Sequence, residues 1–133
     1  MKQILLINGS PNKDGNTAAA LRMMEDIFLE RGLATTWFQI GKQPVSGCQG
    51  CGHCKGYHRC VFKDDVCNDL IEAFLKTDAV VVGTPVYFAG PNGALCALLD
   101  RVFYAMAKLW SDAQGQASGS CSHLLAGWGD ALH

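Results

Sequence analysis

Short apolar runs alternate with segments of helical periodicity along this chain, and that order limits the possible folds more than any other feature. Three runs that are apolar or rich in β-formers predict strands over residues 4–7, 34–40 and 79–83. Apolar positions at helical spacing predict helices over residues 17–31, 66–76 and 91–107. Strict alternation of this kind is typical of an α/β fold whose parallel strands are joined by right-handed crossovers.

Each predicted helix has an apolar face that we expect to pack on the sheet. The inward positions are Leu21, Met24, Ile27, Phe28, Leu70, Ile71, Phe74, Leu75, Leu95, Leu98, Leu99, Val102 and Phe103. Cys67 and Cys96 also fall on predicted helices, where cysteine usually behaves as a small core residue. These side chains define the predicted hydrophobic core.

Composition excludes several classes of function. The 133 residues suffice for one domain with a core, and a net charge of −1 gives no basic surface for nucleic acid. No apolar run is long enough for a signal peptide or a membrane span, so we expect no membrane partner and a cytoplasmic location. Thiols stay reduced there, and seven cysteines then favour metal or redox chemistry over disulfides.

Four of the cysteines fall within thirteen residues, in the pattern C-x2-C-x2-C-x5-C formed by Cys48, Cys51, Cys54 and Cys60. Three thiols at this spacing followed by a fourth resemble iron–sulfur ligand runs. Four-cysteine zinc sites also use C-x2-C pairs, so zinc is the main rival, and His53 or His58 could replace a thiol in such a site. Glycines between the cysteines allow the chain to wrap tightly around a ligand.

The loop over residues 9–17 joins the first strand to the first helix and collects hydroxyl, amide and glycine residues. Ser10, Asn16 and Thr17 can donate hydrogen bonds there, Lys13 can add positive charge, and a helix begins at the end of the loop. Free N–H groups and the positive end of the helix dipole favour a phosphate group. An ordinary loop whose helix is capped by Asn16 or Thr17 is the alternative.

Four segments of the sequence resemble motifs of a known family. Residues 9–17 look like the flavin-phosphate loop of the NADPH-dependent FMN reductase branch of flavodoxin-like proteins, and residues 84–95 look like its second flavin loop. Residues 99–101 match the helix that follows, and the cysteine run resembles that of iron–sulfur flavoproteins in this group. The resemblance covers roughly residues 3–107. It implies a flavodoxin-like three-layer sandwich with a parallel sheet, which binds FMN and is usually oligomeric.

The resemblance also implies roles for individual residues. The phosphate loop would contact FMN through Ser10, Pro11, Asn12, Asn16 and Thr17. The second flavin loop, which we call the ring loop, would line the isoalloxazine through Pro85, Val86, Tyr87 and Phe88, and Gly90 would allow its backbone to approach the flavin closely. Core packing is the alternative role for the two aromatic residues. The four cysteines of the run would hold a 4Fe-4S cluster, and no acid–base catalytic residue is expected.

The implied activity is that of an FMN-dependent oxidoreductase. Its electron donor would be NAD(P)H or a ferredoxin-like protein, and its acceptor a small molecule or a protein. FMN would exchange two electrons with one partner and the cluster would pass single electrons to another. A zinc-binding α/β module without redox turnover and an inactive truncated relative are the competing hypotheses.

The last part of the sequence does not continue the family pattern. We therefore expect an incomplete flavodoxin-like domain over residues 1–107, without its C-terminal strands, and an aberrant flexible tail over residues 108–133. A one-base shift of the reading frame across residues 115–132 is compatible with a valine-rich strand followed by a glycine turn. We accordingly expect a frameshift or a sequencing error near residues 110–116.

Overall fold

A computed structural model describes residues 2–115 of the chain. The three strands are β1 (Gln3–Asn8), β2 (Ala34–Gln39) and β3 (Ala79–Gly83). The three helices are α1 (Asn16–Glu30), α2 (Cys67–Leu75) and α3 (Gly93–Gly115). All six predicted elements are thereby confirmed in type and order, although α3 continues eight residues beyond its predicted end at residue 107.

The three strands form one parallel sheet in the order β2-β1-β3. In this register Leu5 of the central strand lies between Thr36 of β2 and Val80 of β3. Five of the six residues of β1 are buried, as expected for a parallel strand that is flanked by strands at both edges and covered by helices on both faces. The apolar run that predicted β1 is therefore the centre of the fold.

Helices cover both faces of this sheet because successive strand residues point to opposite sides. On one face, Ile4 and Leu6 pack with Leu21 of α1. On the other face, Leu5 and Ile7 belong to a larger cluster to which α2 and α3 contribute most of the buried side chains. The predicted three-layer α/β sandwich with a parallel, flavodoxin-like sheet is confirmed.

Four of the predicted core residues are exposed instead: Ile27, Leu75, Cys96 and Phe103. Successive helical residues are about 100° apart, and each of these four lies roughly 90° or more from the centre of its helix's buried stripe. Phe103 still makes an edge-to-face contact with Phe74, with ring centroids 5.7 Å apart. Cys67 is fully buried as expected, and burial raises the pKa of its thiol to about 12.

Some expectations about the end of the chain concern residues 116–133, which lie outside the described residues. The strand and glycine turn of the frameshift hypothesis and most of the predicted tail fall there, and the frameshift itself and the domain boundary at residue 107 stay predictions. Of the helices within residues 2–115, none combines the length and apolar character needed to cross a membrane.

Candidate flavin and cysteine sites

The phosphate loop and the ring loop meet at the carboxyl ends of two adjacent strands. The Gly9 N–H donates to the Gly83 carbonyl oxygen at 2.7 Å, which extends the pairing of β1 and β3. Asn92 joins the loops a second time, because its Nδ2 donates to the Gly9 carbonyl at 2.7 Å while its backbone N–H donates to Thr84 Oγ1 at 3.0 Å. The crevice outside the strand ends is where open α/β sheets bind their ligands.

Two glycines allow the loops and α1 to approach this closely. A Cβ added at Gly9 would lie 2.6 Å from Leu95 Cδ2 and 2.8 Å from the Gly83 carbonyl oxygen. A Cβ added at Gly83 would lie 2.9 Å from Thr17 Cγ2 and 3.0 Å from Leu21 Cδ1. The packing of the crevice therefore requires glycine at both positions, because any larger residue would clash with these atoms.

Gly9→Ala is expected to lower the free energy of unfolding by about 1–3 kcal/mol, because the methyl group must displace backbone as well as a leucine side chain. Gly47→Ala is the matched control, since an added Cβ there meets no atom within 4 Å. Urea denaturation followed by circular dichroism compares the two variants. Equal stability of both would contradict the close approach at Gly9.

The phosphate loop is held by a buried amide network. Asn8 Oδ1 accepts from the Ser10 N–H at 3.0 Å, and Asn8 Nδ2 donates to Gln39 Oε1 at 2.8 Å. Gln39 Nε2 in turn donates to the Ser10 carbonyl at 2.7 Å, and the Asn12 N–H donates to Ser10 Oγ at 3.1 Å. Ser10 Oγ accepts the bond from the Asn12 N–H, and its own O–H remains able to donate to a ligand. The sequence had shown Ser10 as a candidate but not the residues that position it.

The first turn of α1 faces this loop without a side-chain cap. Gly15 is the N-cap residue and makes no side-chain capping hydrogen bond, so capping by Asn16 or Thr17 is wrong. Asn16 is instead the first helical residue and is exposed. The N–H groups of an uncapped first turn, together with the helix dipole, form a site for an anion. This geometry fits a phosphate group.

The ring loop presents apolar side chains to solvent. Val86, Tyr87 and Phe88 are 53, 65 and 95% exposed, so core packing of the two aromatic residues is wrong. Val86 pairs with Pro91 across the loop, and Ala89 at its tip adopts a left-handed φ of 50°. Exposed aromatic side chains beside a crevice suit a flat, largely apolar ring.

Two further residues of the ring loop were expected to contact the flavin. Pro85 is half-buried and directly follows Thr84, the residue whose hydroxyl holds Asn92. At Gly90, an added Cβ would meet nothing closer than the Phe88 carbonyl oxygen at 3.8 Å. The residues that the structure describes therefore leave the space beside Gly90 open, and a close approach of its backbone to the flavin stays a prediction.

The cysteine run follows β2 and forms one side of a cleft against α3. The residues that line this cleft include all four cysteines of the run, together with Phe62, Arg101 and Tyr104. We call it the cysteine cleft. Burial raises the pKa of the Cys54 thiol, and the other three thiols raise it further by charge repulsion. The sequence-predicted ligands are thus brought together in one place.

The four thiols share this cleft without converging on a single point. Within residues 2–115, no three His, Cys, Asp or Glu side chains form a set that could hold one metal ion. A zinc ion needs four ligand atoms at about 2.0–2.3 Å. His58, one of the two histidines considered for zinc, instead places its Nδ1 3.3 Å from the Ala105 carbonyl oxygen of α3. A preassembled zinc site is therefore not present in the described part of the chain.

Arg101 of α3 lies buried at the cysteine cleft. Its Nη1 donates to the Ser46 carbonyl at 3.2 Å and to the Asp65 carboxylate, while its Nη2 donates to the Phe62 carbonyl at 3.2 Å and to Cys60 Sγ at 3.4 Å. The Arg101 and Asp65 side chains are only 1% and 8% exposed. Arg101 Nε is a buried donor that has no partner among the described residues.

This buried ion pair has a definite charge state. Burial by itself would raise the pKa of Asp65, but hydrogen bonds from Arg101 and from the Cys67 N–H hold it below its ordinary value. Burial would likewise lower the pKa of Arg101, but its bonds to Asp65 and Cys60 raise it above its ordinary value. Both groups are charged at neutral pH. A sequence signal for Arg101 existed, since it occupies a core position between Leu98 and Ala105.

Asn68, at the second position of α2, fixes the last cysteine of the run. Its Oδ1 accepts from the Cys60 N–H at 2.8 Å, and its Nδ2 donates to the Cys60 carbonyl at 3.0 Å. At the other end of the run, the Gly50 N–H donates to Cys48 Sγ at 3.4 Å. These contacts fix both ends of a run whose four sulfurs line one cleft, and four thiols are a donor set that fits a group held by four sulfurs.

A parallel sheet in the order β2-β1-β3 with helices on both faces defines a flavodoxin-like protein. Its candidate site consists of the two loops at the strand ends and the four thiols that follow β2. The model of the family described as NADPH-dependent FMN reductase matches residues 2–122. The chain belongs to this family.

Several curated relatives are named as iron–sulfur flavoproteins. The chain is 31% identical over 99 residues to an iron–sulfur flavoprotein of Methanocaldococcus jannaschii, covering 74% of this chain and 51% of that protein. It is 35% identical over 100 residues to an iron–sulfur flavoprotein of Archaeoglobus fulgidus, covering 74% and 48%. The chain thus spans about half the length of the curated relatives it matches.

A solved structure supports the fold independently of sequence. The apo form of an NADH:FMN oxidoreductase superposes with a TM-score of 0.57 at 21% identity, covering 80% of this chain and 53% of that one. The shared architecture accounts for the position of both loops at the carboxyl edge of the sheet.

Proposed function

We propose that this chain is the FMN-binding part of a flavin-dependent NAD(P)H oxidoreductase of the iron–sulfur flavoprotein type. The observation that carries the proposal is that α3 links the two sites. The helix begins directly after the ring loop, and Arg101 and Tyr104 on the same helix line the cysteine cleft. Arg101 is eight residues from the helix start, a distance of about 12 Å along the axis.

In the proposed flavin site, the uncapped first turn of α1 and the hydroxyls and amides of the first loop bind the FMN phosphate. Ser10, Asn16 and Thr17 donate to it, and Pro11 and Asn12 form the neighbouring wall. The ring loop covers the isoalloxazine with Pro85, Val86, Tyr87, Phe88 and Gly90. These residues bind and orient the cofactor and exclude water, while the hydride and electron chemistry is supplied by FMN.

In the proposed metal site, Cys48, Cys51, Cys54 and Cys60 hold a 4Fe-4S cluster. A cluster of four irons keeps its four thiolate ligands apart, which agrees with thiols that share a cleft without meeting at one point. The cluster supplies one-electron chemistry when bound. The zinc module is the second candidate because the same four thiols could bind zinc. It ranks below the cluster, since the thiols would have to move closer together to hold a single ion.

The proposed partners follow from this chemistry. The electron donor is NAD(P)H, in line with the description of the family, or a ferredoxin-like protein that uses the cluster. The acceptor is a small molecule or a protein, and we propose a cytoplasmic homo-oligomer as the working form. With a net charge of −1, the chain has no electrostatic preference for nucleic acid.

Anaerobic purification of the 133-residue chain tests the function. We expect bound FMN, identified by its absorbance spectrum, together with about four irons and four sulfides per chain. Flavin without iron would contradict the cluster and leave the flavin enzyme standing. A colourless protein with one zinc per chain would instead support the zinc module, and a chain that retains neither group would support the inactive relative.

Cys54→Ser is expected to remove most of the bound iron, because a hydroxyl is a poor ligand for iron–sulfur chemistry. Cys96→Ser is the matched control, since Cys96 is an exposed cysteine on α3 that does not line the cleft. Iron and sulfide analysis of both variants, alongside their FMN content, makes the comparison. Equal iron in both variants would show that the run does not hold the metal.

A further inference from the structure

We propose that Arg101 is a positioning residue for the cysteine cleft, which orders the cysteine run before the cluster is bound and donates to a ligand sulfur afterwards. The inference rests on the proposed 4Fe-4S function of the four cysteines. It assigns a role to a side chain that lies on a different element, 41 positions from Cys60.

The first argument is that Arg101 holds both ends of the cysteine run. Ser46 precedes Cys48 by two residues, and Phe62 follows Cys60 by two. The Arg101 guanidinium donates a hydrogen bond to the carbonyl oxygen of each, at 3.2 Å in both cases. These contacts join the two ends of a long segment without regular secondary structure to one rigid helix. The segment therefore loses its conformational entropy when the protein folds, before any metal binds, and metal binding does not have to order it.

The second argument is the direct contact with sulfur. Arg101 Nη2 lies 3.4 Å from Cys60 Sγ. Hydrogen bonds to ligand sulfurs, and nearby positive charge, stabilise the more negative reduced state of an iron–sulfur cluster. The contact therefore predicts a cluster potential higher than the same ligands would give without Arg101.

The third argument is the donor that remains unused. Arg101 Nε is buried and has no partner in the part of the chain that the structure describes, although the other two nitrogens of the guanidinium make four hydrogen bonds. Asp65 fixes the orientation of the guanidinium by accepting from Nη1, and Asp65 in turn accepts from the Cys67 N–H at 3.2 Å. A guanidinium held this firmly at a thiol-lined cleft is suited to an acceptor bound within it.

Arg59 is a natural comparison within the same segment. It is adjacent to Cys60 in sequence, but its side chain is 55% exposed and pairs with Glu72 on the surface. Arg59 does not line the cysteine cleft. Removing its charge therefore tests proximity in sequence without removing the contact to the sulfur.

The test compares the wild-type chain with Arg101→Lys, Arg101→Gln and Arg59→Gln, each reconstituted anaerobically with iron and sulfide. The readouts are iron content, the midpoint potential of the cluster from a dye-mediated titration, and the thermal melting of the metal-free protein. We expect a more negative potential and several-fold lower iron occupancy for Arg101→Gln, an intermediate shift for Arg101→Lys, and wild-type values for Arg59→Gln.

The outcomes separate this inference from the function on which it rests. A wild-type chain that binds no iron overturns both. A wild-type chain with a cluster, and an Arg101→Lys variant with unchanged potential and occupancy, overturns the inference alone. If Arg101→Gln does not fold, Arg101→Lys retains the charge and decides the question, because a merely structural role would not move the potential of a folded, loaded variant.

Discussion

Replacing Asp65 by alanine is expected to lower the free energy of unfolding by about 3–5 kcal/mol, because it leaves the buried Arg101 charge without its partner. The Arg101 side chain is 1% exposed, so its charge has little contact with solvent that could take the place of the carboxylate. Asp65 also accepts from the Cys67 N–H at the start of α2. The loss should appear in urea denaturation of the metal-free chain.

Glu72→Ala provides the matched control for this prediction. Glu72 also pairs with an arginine, but the Arg59 and Glu72 side chains are 55% and 45% exposed. An exposed pair of this kind contributes about 0–1 kcal/mol. Losses of equal size in the two variants would show that the Asp65 pair is not buried in solution. Asp65→Asn keeps the shape and should fall between them.

Replacing Asn8 by alanine is expected to lower the free energy of unfolding by about 2–4 kcal/mol, since it strips the partners from several buried polar groups. Asn8 is fully buried, and its loss frees the Ser10 N–H, Gln39 Oε1 and the Asn12 carbonyl. Of its amide network, the phosphate loop then keeps only the bond from Gln39 to the Ser10 carbonyl and the bond within the loop to Ser10 Oγ, so it is less ordered before FMN binds. We expect FMN affinity to fall roughly tenfold or more, which corresponds to about 1.4 kcal/mol.

Two glutamines make this second prediction specific. Gln39→Ala removes the other half of the same network and should weaken FMN binding in the same direction, though less. Gln43→Ala removes an exposed amide close by in sequence and should leave affinity unchanged. Fluorescence titration of FMN measures all three dissociation constants. Unchanged affinity in a folded Asn8→Ala variant would remove the phosphate loop from the flavin site.

The order of the elements could be predicted from the sequence because its physical cause is local. The run Ala79–Gly83 predicts a parallel strand from its own residues alone, and the structure gives it the same bounds, although only Val80 and Val81 are buried because β3 lies at the edge of the described sheet. The faces of the helices were less certain. Ile27 belongs to the apolar pattern of α1 but lies beyond the stripe that the sheet covers, so only the docked helix shows that it is exposed.

The amino-acid sequence by itself determined the parallel α/β order, the two loops at the strand ends and the four thiols of the cysteine run. Only the tertiary structure decided which side chains hold them, because those contacts join residues far apart in the chain. Asn8 meets Gln39 across 31 positions, and Arg101 meets Asp65 across 36. Periodicity can mark a charged residue on an apolar face, but the partner that makes its burial tolerable exists only once the helix and the loop have packed together.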